Sequence, residues 1–435
     1  MRTFDRLARL ALGHPRLRAR LRDVYARTAA EAAENVAPNP DIAEITPIEC
    51  APSDIETPRL NLLVPAVSER HVFGGIATAV ALFERMAEGF EDVRIVVTDE
   101  TNAVTARQLF CASWPIEPIG GPDLPGRRIV VAGDRYGRRL PVRASDRFMA
   151  TAWWTAYTAH RVLDWQREQF ALPPRRFVYV IQDFEPAFYA WSSRYALAES
   201  TYRPGGRIVA VVNTPALADH LSTQGFRFAH THTFEPTLNR SLAASITAEP
   251  VMQKKRRILV YGRPGVERNA FEILMLGLRE WAGRCPGAAA WEVLSAGESH
   301  GDFPLPNGSV VRGIGKQPLD GYVELLRTSA IGISLMVSPH PSYPPLEMAA
   351  FGLRTITNGH AAKDLSRVHP RITSLSPLTQ ETLSLALCRM TEAFDNGSMS
   401  FEVDTRGESF SFPYLSGDAP FPFAPQVVRE LLADS

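Results

Sequence analysis

The chain has 435 residues, of which 45% are hydrophobic and 22% are charged, which predicts two or three globular domains with packed cores. Lysine plus arginine and aspartate plus glutamate each number 47, so no net field favours nucleic acid as a partner. The widely spaced cysteines indicate neither a zinc site nor a disulfide framework, and they favour a reducing compartment. They are Cys50, Cys111, Cys285 and Cys388. The sequence contains no apolar run of membrane-spanning length and no secretory leader pattern, so we expect a cytoplasmic protein.

The first segment, residues 1–58, is predicted to be a basic helix followed by a linker. Apolar side chains at Phe4, Leu7 and Leu10 lie among regularly recurring arginines. These are Arg2, Arg6, Arg9, Arg16, Arg18, Arg20 and Arg22. The pattern has two interpretations, a surface helix packed on its own domain or an interfacial helix that contacts anionic lipid.

Regular α/β structure is predicted from residue 59. Short apolar runs predict strands at 60–65, 92–97, 128–131, 177–181 and 208–212. Apolar helical patterns lie at 77–86 and 149–165. Alternation of strands and helices indicates a doubly wound, mostly parallel sheet, and we assign this first domain to residues 59–245.

The same pattern restarts after a charged stretch at 254–257 and predicts a second domain at 246–409. Its predicted strands are 258–261, 291–296, 309–312, 331–336 and 354–357, and its predicted helices are 269–281, 319–329 and one opening at 345–351. The final segment, 410–435, contains a predicted helix at 424–432 and is expected to cross back to the first domain. Two Rossmann-like domains predict a ligand cleft between them, at the carboxyl ends of the strands.

Four segments contain residues suited to such a cleft. Gly74 and Gly75 stand between a strand and a helix, where paired glycines admit a bound group or form only a tight turn. Arg263 and Arg268 flank a strand–helix loop and present forks that suit phosphate oxygens, or they are solvated surface arginines.

The third segment is a stiff, proline-rich loop between residues 338 and 347 that opens a helix. The backbone amides near Leu346 are expected to face an anion, and Glu347 to accept hydrogen bonds from a ribose. The alternative for Glu347 is a surface glutamate that complements the helix dipole. The fourth segment places Asp183 and Glu185 after a first-domain strand, either as acceptor-side carboxylates or as capping acids.

These segments together resemble glycosyltransferase family 4, which has the GT-B fold. Arg263 matches the arginine of the family's Gly-Arg pair, Arg268 stands in place of its lysine, and Glu347 matches the second glutamate of the Glu-x7-Glu signature. The strings WWTAY, QDFEPAFY, YALAE, YGRP and SPHPSYPPLEMAAFG further resemble rhamnosyltransferases that synthesise a rhamnan of a surface-layer glycan. The chain departs from the family at Pro339, where the first glutamate is expected.

The resemblance implies a metal-independent, retaining transfer of L-rhamnose from dTDP-β-L-rhamnose to a growing, lipid-linked glycan, with no cofactor. It implies donor-binding roles for eleven positions. It places Asp183 and Glu185, the two carboxylates of the first domain, on the acceptor side as candidate catalytic residues. The donor-binding set is Gly74, Gly75, Arg263, Arg268, Gly313, Gly315, Lys316, Ser342, Tyr343, Leu346 and Glu347. Two alternatives are a GT-B epimerase acting on a UDP-sugar and a non-catalytic glycan-binding protein on the same scaffold.

Overall fold

The computed structural model describes residues 42–67, 75–101, 114–247, 253–401, 403, 406–415 and 421–433. Residues up to Thr46 form a separate unit, of which a 3-10 turn at Ala43–Ile45 is described. The predicted basic helix at residues 1–33 lies outside the described residues. Residues from Pro47 onward form one compact unit, which contains all the sheets and helices discussed below.

The first domain is built on an eight-stranded sheet whose strands all run parallel. In chain order, the described strands of the first domain, including two outside this sheet, are β1 (Glu49–Ser53), β2 (Arg59–Val64), β3 (Asp92–Val97), β4 (Ile116–Pro118), β5 (Arg127–Val131), β6 (Arg139–Arg143), β7 (Arg147–Ala150), β8 (Phe177–Ile181), β9 (Ile208–Asn213) and β10 (His230–Phe234). The large sheet has the order β10-β9-β8-β7-β2-β3-β5-β4, and β1 pairs with β6 in a separate parallel ribbon.

Four helices connect these strands: α1 (Gly75–Ala87), α2 (Trp153–Phe170), α3 (Ser193–Ser200) and α4 (Pro215–Thr223). Polar caps begin two of them, since Ser192 Oγ accepts the Tyr195 amide and Thr214 Oγ1 accepts the Leu217 amide, each at 3.3 Å. The predicted helix at 149–165 begins later than expected, because residues up to Ala150 extend the central strand β7.

The second domain has a seven-stranded sheet in which, among the described strands, β13 is antiparallel to its neighbour and the other pairs are parallel. Its strands are β11 (Lys255–Gly262), β12 (Glu292–Gly297), β13 (Phe303–Pro304), β14 (Val310–Gly315), β15 (Ser329–Ile333), β16 (Arg354–Asn358) and β17 (Ile372–Leu375), in the order β13-β14-β12-β11-β15-β16-β17. Its helices are α5 (Arg240–Thr247), α6 (Phe271–Arg284), α7 (Leu319–Thr328), α8 (Pro344–Ala350) and α9 (Gln380–Asp395).

The last helix, α10 (Ala424–Leu432), returns to the first domain, which confirms the predicted crossover. Val427 and Leu431 are buried in the same hydrophobic cluster as Phe83 of α1. Glu430 adds a polar contact, because its Oε2 lies 2.7 Å from His232 Nε2 on the edge strand β10. No helix among the described residues is both long enough and apolar enough to cross a membrane.

Three predicted domain limits differ from the structure, because packing rather than composition decides them. Strand β1 pairs with β6, so residues from Glu49 belong to the first domain rather than to the 1–58 linker. Leu242 and Ile246 of α5 pack in the second-domain cluster with Leu259, so the boundary precedes them instead of falling at 245. Tyr414 is buried in that cluster as well, so the crossover segment begins after it rather than at 410.

A buried network of charges stabilises the amino-terminal ends of the first-domain strands. The Arg59 guanidinium donates two bonds of 2.8 Å to the two carboxylate oxygens of Asp146, which is fully buried. Arg143, also fully buried, donates to Asp123 at 2.8 Å and to Asp92 at 2.5 Å. Strand patterning did not indicate this network, because its members lie in different elements: Arg59 and Asp92 begin β2 and β3, Arg143 ends β6, Asp146 precedes β7 and Asp123 lies in the loop between β4 and β5.

Two cysteines that are distant in sequence form a disulfide, contrary to the expectation of none. Cys285 follows α6 and Cys388 lies within α9, and their Cα atoms are 6.0 Å apart across 103 residues. The two helices pack against each other, which brings the sulfurs together. Spacing along the chain therefore gave no information about this pair.

Candidate functional site

The carboxyl edges of the two sheets face each other across a cleft, and side chains from both domains bond there. Ser338, beyond β15, donates a hydrogen bond from Oγ to Oδ1 of Asp183, which follows β8. Arg268 Nε lies 3.7 Å from Asp183 Oδ2, and Asn213 Nδ2 donates to Tyr343 Oη at 3.0 Å. The structure thus brings together three of the predicted residues, Asp183, Arg268 and Tyr343.

The loop before α8 is held by its own side chains. Ser338 Oγ accepts the His340 amide, and His340 Nδ1 accepts the Ser342 amide, each at 3.0 Å. Ser342 has a φ of 68°, a left-handed conformation that a non-glycine residue adopts only when its surroundings impose it. The loop is therefore rigid enough to position groups at the cleft, as its prolines predict.

Helix α8 does not present the free amides that were expected to face an anion. The Leu346 and Glu347 amides both donate to the Tyr343 carbonyl at 3.0 Å, and Pro344 and Pro345 have no amide hydrogen. The Leu346 side chain is completely buried. The prolines that start the helix remove its first donors and the Leu346 amide is bonded within the turn, so the predicted anion contact at Leu346 stays a prediction.

Glu347 lies in the first turn of α8 and is held by a second-domain tyrosine. Tyr322 Oη donates to Glu347 Oε2 at 2.8 Å. Burial raises the pKa of Glu347, and the hydrogen bond from Tyr322 opposes that rise. The carboxylate is thus oriented and partly desolvated, which suits recognition of hydroxyl groups better than a solvated surface position does.

The two arginines have different surroundings. Arg263 Nε lies 3.4 Å from Glu298 Oε1, within the second domain. Arg268 instead reaches the first domain, where its guanidinium lies 4.3 Å from the centroid of the Phe188 ring. Burial lowers the pKa of Arg268, and its buried Nε has no hydrogen-bond partner among the described residues. Of the pair, Arg268 is the partly buried cation that contacts the first domain across the cleft.

The two predicted carboxylates of the first domain point in different directions. Asp183 bonds to second-domain groups, as described above. Glu185 instead accepts a hydrogen bond of 3.1 Å from the core residue Tyr179, and burial raises its pKa to about 8. The expectation that both carboxylates face the cleft is therefore met by Asp183 alone, because a 3-10 helix at Glu185–Phe188 turns the second one inward.

Close packing explains the glycine that begins α1. Gln182, next to Asp183, donates from Nε2 to the Gly75 carbonyl at 2.7 Å. A Cβ atom at Gly75 would lie 2.7 Å from Gln182 Oε1, so a larger residue would displace that side chain. Gly74 lies outside the described residues, and its predicted role stays a prediction.

The predicted base-binding loop lies at the same edge of the second sheet. Strand β14 ends at Gly315, which has a φ of 65°, and Lys316 follows it as an exposed residue. A Cβ atom at Gly313 would lie 2.3 Å from the His300 carbonyl oxygen. Both glycines are therefore required by the backbone, and a part in nucleotide binding at Gly313, Gly315 and Lys316 stays a prediction.

Two buried cationic or potentially cationic residues of the cleft were not predicted. Lys363 is 2% exposed and donates from Nζ to the Met336 carbonyl, and burial lowers its pKa to about 7. Burial also lowers the pKa of His340, to about 4. The whole sequence contains four lysines, and this scarcity was the feature of the sequence that could have drawn attention to Lys363. His340 lies inside the predicted loop but was not assigned a role.

A cavity of about 500 Å³ opens beside Arg268. One wall is the first-domain segment 187–194 and the other is the second-domain loop 265–268. Phe188 and Arg268, which contact each other, both line it. Among the described residues, no group of three or more His, Cys, Asp or Glu side chains is arranged to hold a metal ion.

This architecture is the GT-B fold: two Rossmann-like domains, facing carboxyl edges and a terminal helix that returns to the first domain. Sucrose-phosphate synthase from Thermosynechococcus elongatus superposes with a TM-score of 0.55 at 13% identity, over 87% of this chain and 100% of that one. The lipopolysaccharide outer core galactosyltransferase WaaB gives a TM-score of 0.52 at 11% identity, over 85% and 99%. At these identities the likeness concerns the fold.

The chain belongs to the WsaF family, because residues 59–215 match the WsaF N-terminal domain and residues 256–388 match the WsaF C-terminal domain. It is also 33% identical over 262 residues to the O-antigen biosynthesis protein RfbC of Myxococcus xanthus. That match covers 60% of this chain and 19% of the relative, so the matched part of the chain spans about a fifth of that longer protein.

Proposed function

We propose that this chain is a retaining glycosyltransferase that transfers L-rhamnose from dTDP-β-L-rhamnose to a growing cell-surface polysaccharide or lipid-linked glycan. The observation that carries the proposal is the cleft itself, where Asp183 of one domain lies 3.7 Å from Arg268 of the other, beside a cavity of about 500 Å³. Membership of the WsaF family and similarity to an O-antigen biosynthesis protein support it.

In this proposal the second domain holds the nucleotide diphosphate. Arg268, with Arg263, neutralises the charge that develops on the diphosphate as the sugar C1–O bond breaks. Glu347 accepts hydrogen bonds from the ribose, and Gly313 to Lys316 contact the base. Ser342 and Tyr343 belong to the loop that holds the donor sugar, while Gly75 lets the first domain approach the diphosphate.

Asp183 acts on the acceptor side. The acceptor oxygen forms the new bond to C1, and its proton passes to Asp183 or to the departing diphosphate. Retention requires the acceptor to attack from the face that the diphosphate leaves. The short distance between Asp183 and Arg268 supports this geometry, because it places a proton acceptor beside the cation that receives the leaving group. We propose that neither a metal ion nor a cofactor takes part.

The direct test is turnover of a panel of nucleotide sugars by the purified chain, with and without a rhamnan oligosaccharide acceptor. We expect dTDP release from dTDP-β-L-rhamnose that depends on acceptor, and an anomeric proton spectrum that shows retention. Release without acceptor, accompanied by an epimerised sugar, would indicate the UDP-sugar epimerase alternative. Glycan binding without turnover of any donor would indicate the non-catalytic alternative.

Donor choice has a separate expectation. Pro339 offers neither a charge nor a hydrogen-bond donor near the proposed sugar site, and an unpaired buried hydroxyl costs about 1–3 kcal/mol. We therefore expect dTDP-β-L-rhamnose, with its C6 methyl group, to raise the melting temperature more than UDP-glucose does. The shift that each sugar adds to that of dTDP or UDP alone isolates the sugar contribution. Equal shifts for the two sugars would reject rhamnose without affecting the GT-B fold.

We propose in addition that the protein acts at the cytoplasmic face of the inner membrane on a lipid-linked acceptor. The basic amphipathic pattern between residues 1 and 22 supports this, since each arginine near an anionic surface contributes about 1 kcal/mol before salt screening. Co-sedimentation with phosphatidylglycerol vesicles should fall when this segment is deleted and when salt is raised. Unchanged binding after the deletion would contradict the proposed membrane contact.

A further inference from the structure

His340 contains a buried nitrogen whose protonation is determined by the loop around it. The side chain is 5% exposed. Because Nδ1 accepts the Ser342 amide at 3.0 Å, the neutral ring carries its proton on Nε2. Nε2 is buried and has no hydrogen-bond partner among the residues that the structure describes. His340 therefore presents one oriented N–H donor that the described protein leaves unused.

The ring stays uncharged near neutral pH. Burial lowers the pKa of His340 to about 4, nearby Asp183 opposes this decrease, and Lys363 and Arg268 add to it. The tautomer and the charge state together define a neutral donor. A group that completes it must offer an oxygen or another acceptor.

The neighbouring carboxylate decides which kind of oxygen fits. Asp183 is close enough to His340 to affect its titration, and it comes from the opposite domain. A phosphate at Nε2 would face this carboxylate, and the two negative charges would repel each other. A hydroxyl group can accept from Nε2 and at the same time donate to a carboxylate oxygen. The pair therefore suits a sugar hydroxyl better than it suits a phosphate.

We propose that His340 Nε2 donates a hydrogen bond to a ring hydroxyl of the sugar in a nucleotide-sugar donor, with Asp183 accepting from the same sugar. This rests on the proposed function and adds a specificity-determining residue to it. The sugar is the part of the donor that we expect to reach Asp183, because the proposed function assigns Arg268 to the diphosphate and Glu347 to the ribose. His340 recognises the sugar, while Arg268 recognises the charge of the leaving group.

Two substitutions separate this role from a purely structural one. In His340→Asn, the amide oxygen can still accept the Ser342 amide, but no donor reaches the Nε2 position. In His340→Gln, the amide nitrogen reaches the Nε2 position, but the acceptor for Ser342 is lost. A sugar-binding role predicts that Asn is the more harmful change for sugar recognition. A role confined to holding the loop predicts that Gln is the more harmful one.

Calorimetric titration of wild type and both variants with dTDP-β-L-rhamnose and with dTDP measures the sugar contribution as the ratio of the two affinities. We expect His340→Asn to reduce that ratio about tenfold with dTDP affinity unchanged, the loss expected for one hydrogen bond. We expect His340→Gln to retain most of the ratio. An unchanged ratio in a folded Asn variant would overturn the proposal for His340 alone.

Donor analogues extend the test to the wild-type protein, so the result does not depend on the variants folding. Removing the one hydroxyl that His340 contacts should weaken binding about tenfold, while removing either of the other two ring hydroxyls should have a smaller effect. Equal effects of all three deoxy analogues would overturn the proposal. Wild-type protein that binds neither dTDP nor UDP, with or without sugar, would instead reject the proposed function on which it rests.

Discussion

The two cleft arginines should contribute unequally to catalysis, although either one suits a diphosphate. Two unit charges about 4 Å apart interact by about 4 kcal/mol where the effective dielectric constant is about 20. Arg268 has such an environment, since burial lowers its pKa and it lies against Phe188. Arg263 is already paired with Glu298, and both side chains are about one-third exposed; solvated pairs of this kind contribute about 1 kcal/mol or less.

We therefore expect Arg268→Ala to lower kcat/KM about 100- to 1000-fold, corresponding to about 2.7–4 kcal/mol of lost charge stabilisation. Arg263→Ala should lower it about 3- to 10-fold. Steady-state kinetics with dTDP-β-L-rhamnose and a rhamnan acceptor provide the measurement, and Arg268→Lys, which keeps the charge but loses the fork, should be intermediate. Melting curves verify that each variant is folded. A larger loss for Arg263→Ala than for Arg268→Ala would refute the reasoning from burial and partners.

Three further predictions test other parts of the molecule. Arg143→Met should lower the free energy of unfolding by about 3–5 kcal/mol, because it leaves two buried aspartates without one of their partners. The control Arg203→Met, at an exposed pair with Glu199, should lower it by about 1 kcal/mol or less. Urea denaturation measures both, and equal losses would contradict the stabilising role of the buried network. EDTA should leave turnover intact, and loss of activity that Mg²⁺ or Mn²⁺ restores would contradict metal independence. The Trp191 ring is 94% exposed and lies in the segment 187–194 that forms one wall of the cavity. Trp191→Ala should therefore raise KM for the glycan acceptor several-fold. A raised KM for the donor instead would count against an acceptor role for this ring.

The buried network also predicts how acid affects the first domain. Burial tends to raise the pKa of Asp123, but hydrogen bonds from Arg143 and its charge together with that of Arg59 lower the pKa to about 2. Because the folded pKa lies below the ordinary value, the carboxylate stabilises the native state above about pH 4. This stabilisation should be lost as pH falls from about 4 to about 2. Asp123→Asn should remove that part of the acid dependence.

Much of the fold was predictable because both sheets are parallel and buried on both faces. Such strands are continuous apolar runs, and the predicted segments at 60–65 and 258–261 coincide with β2 and β11. The helix predicted at 424–432 coincides with α10. Strands with mixed composition were missed, as with β6, which contains Arg139, Pro141 and Arg143 and is defined by pairing with β1.

The site was predictable at the level of segments but not of atoms. Sequence placed Asp183, Arg268 and the loop at 338–347 at strand ends, and parallel sheets bring such ends to one edge. It could not distinguish Asp183 from Glu185, because a single 3-10 turn determines which carboxylate enters the core. Nor could it show that the Leu346 amide bonds internally, since that depends on the helix geometry after two prolines.

Both connections between the domains start from one place on the second domain. Leu238, which follows β10, donates its amide to the carbonyl of Tyr414, which precedes α10, at 2.9 Å. Both side chains are also buried in the same second-domain cluster. We therefore expect any movement of one domain against the other to take place in the residues between these two anchors and the first domain.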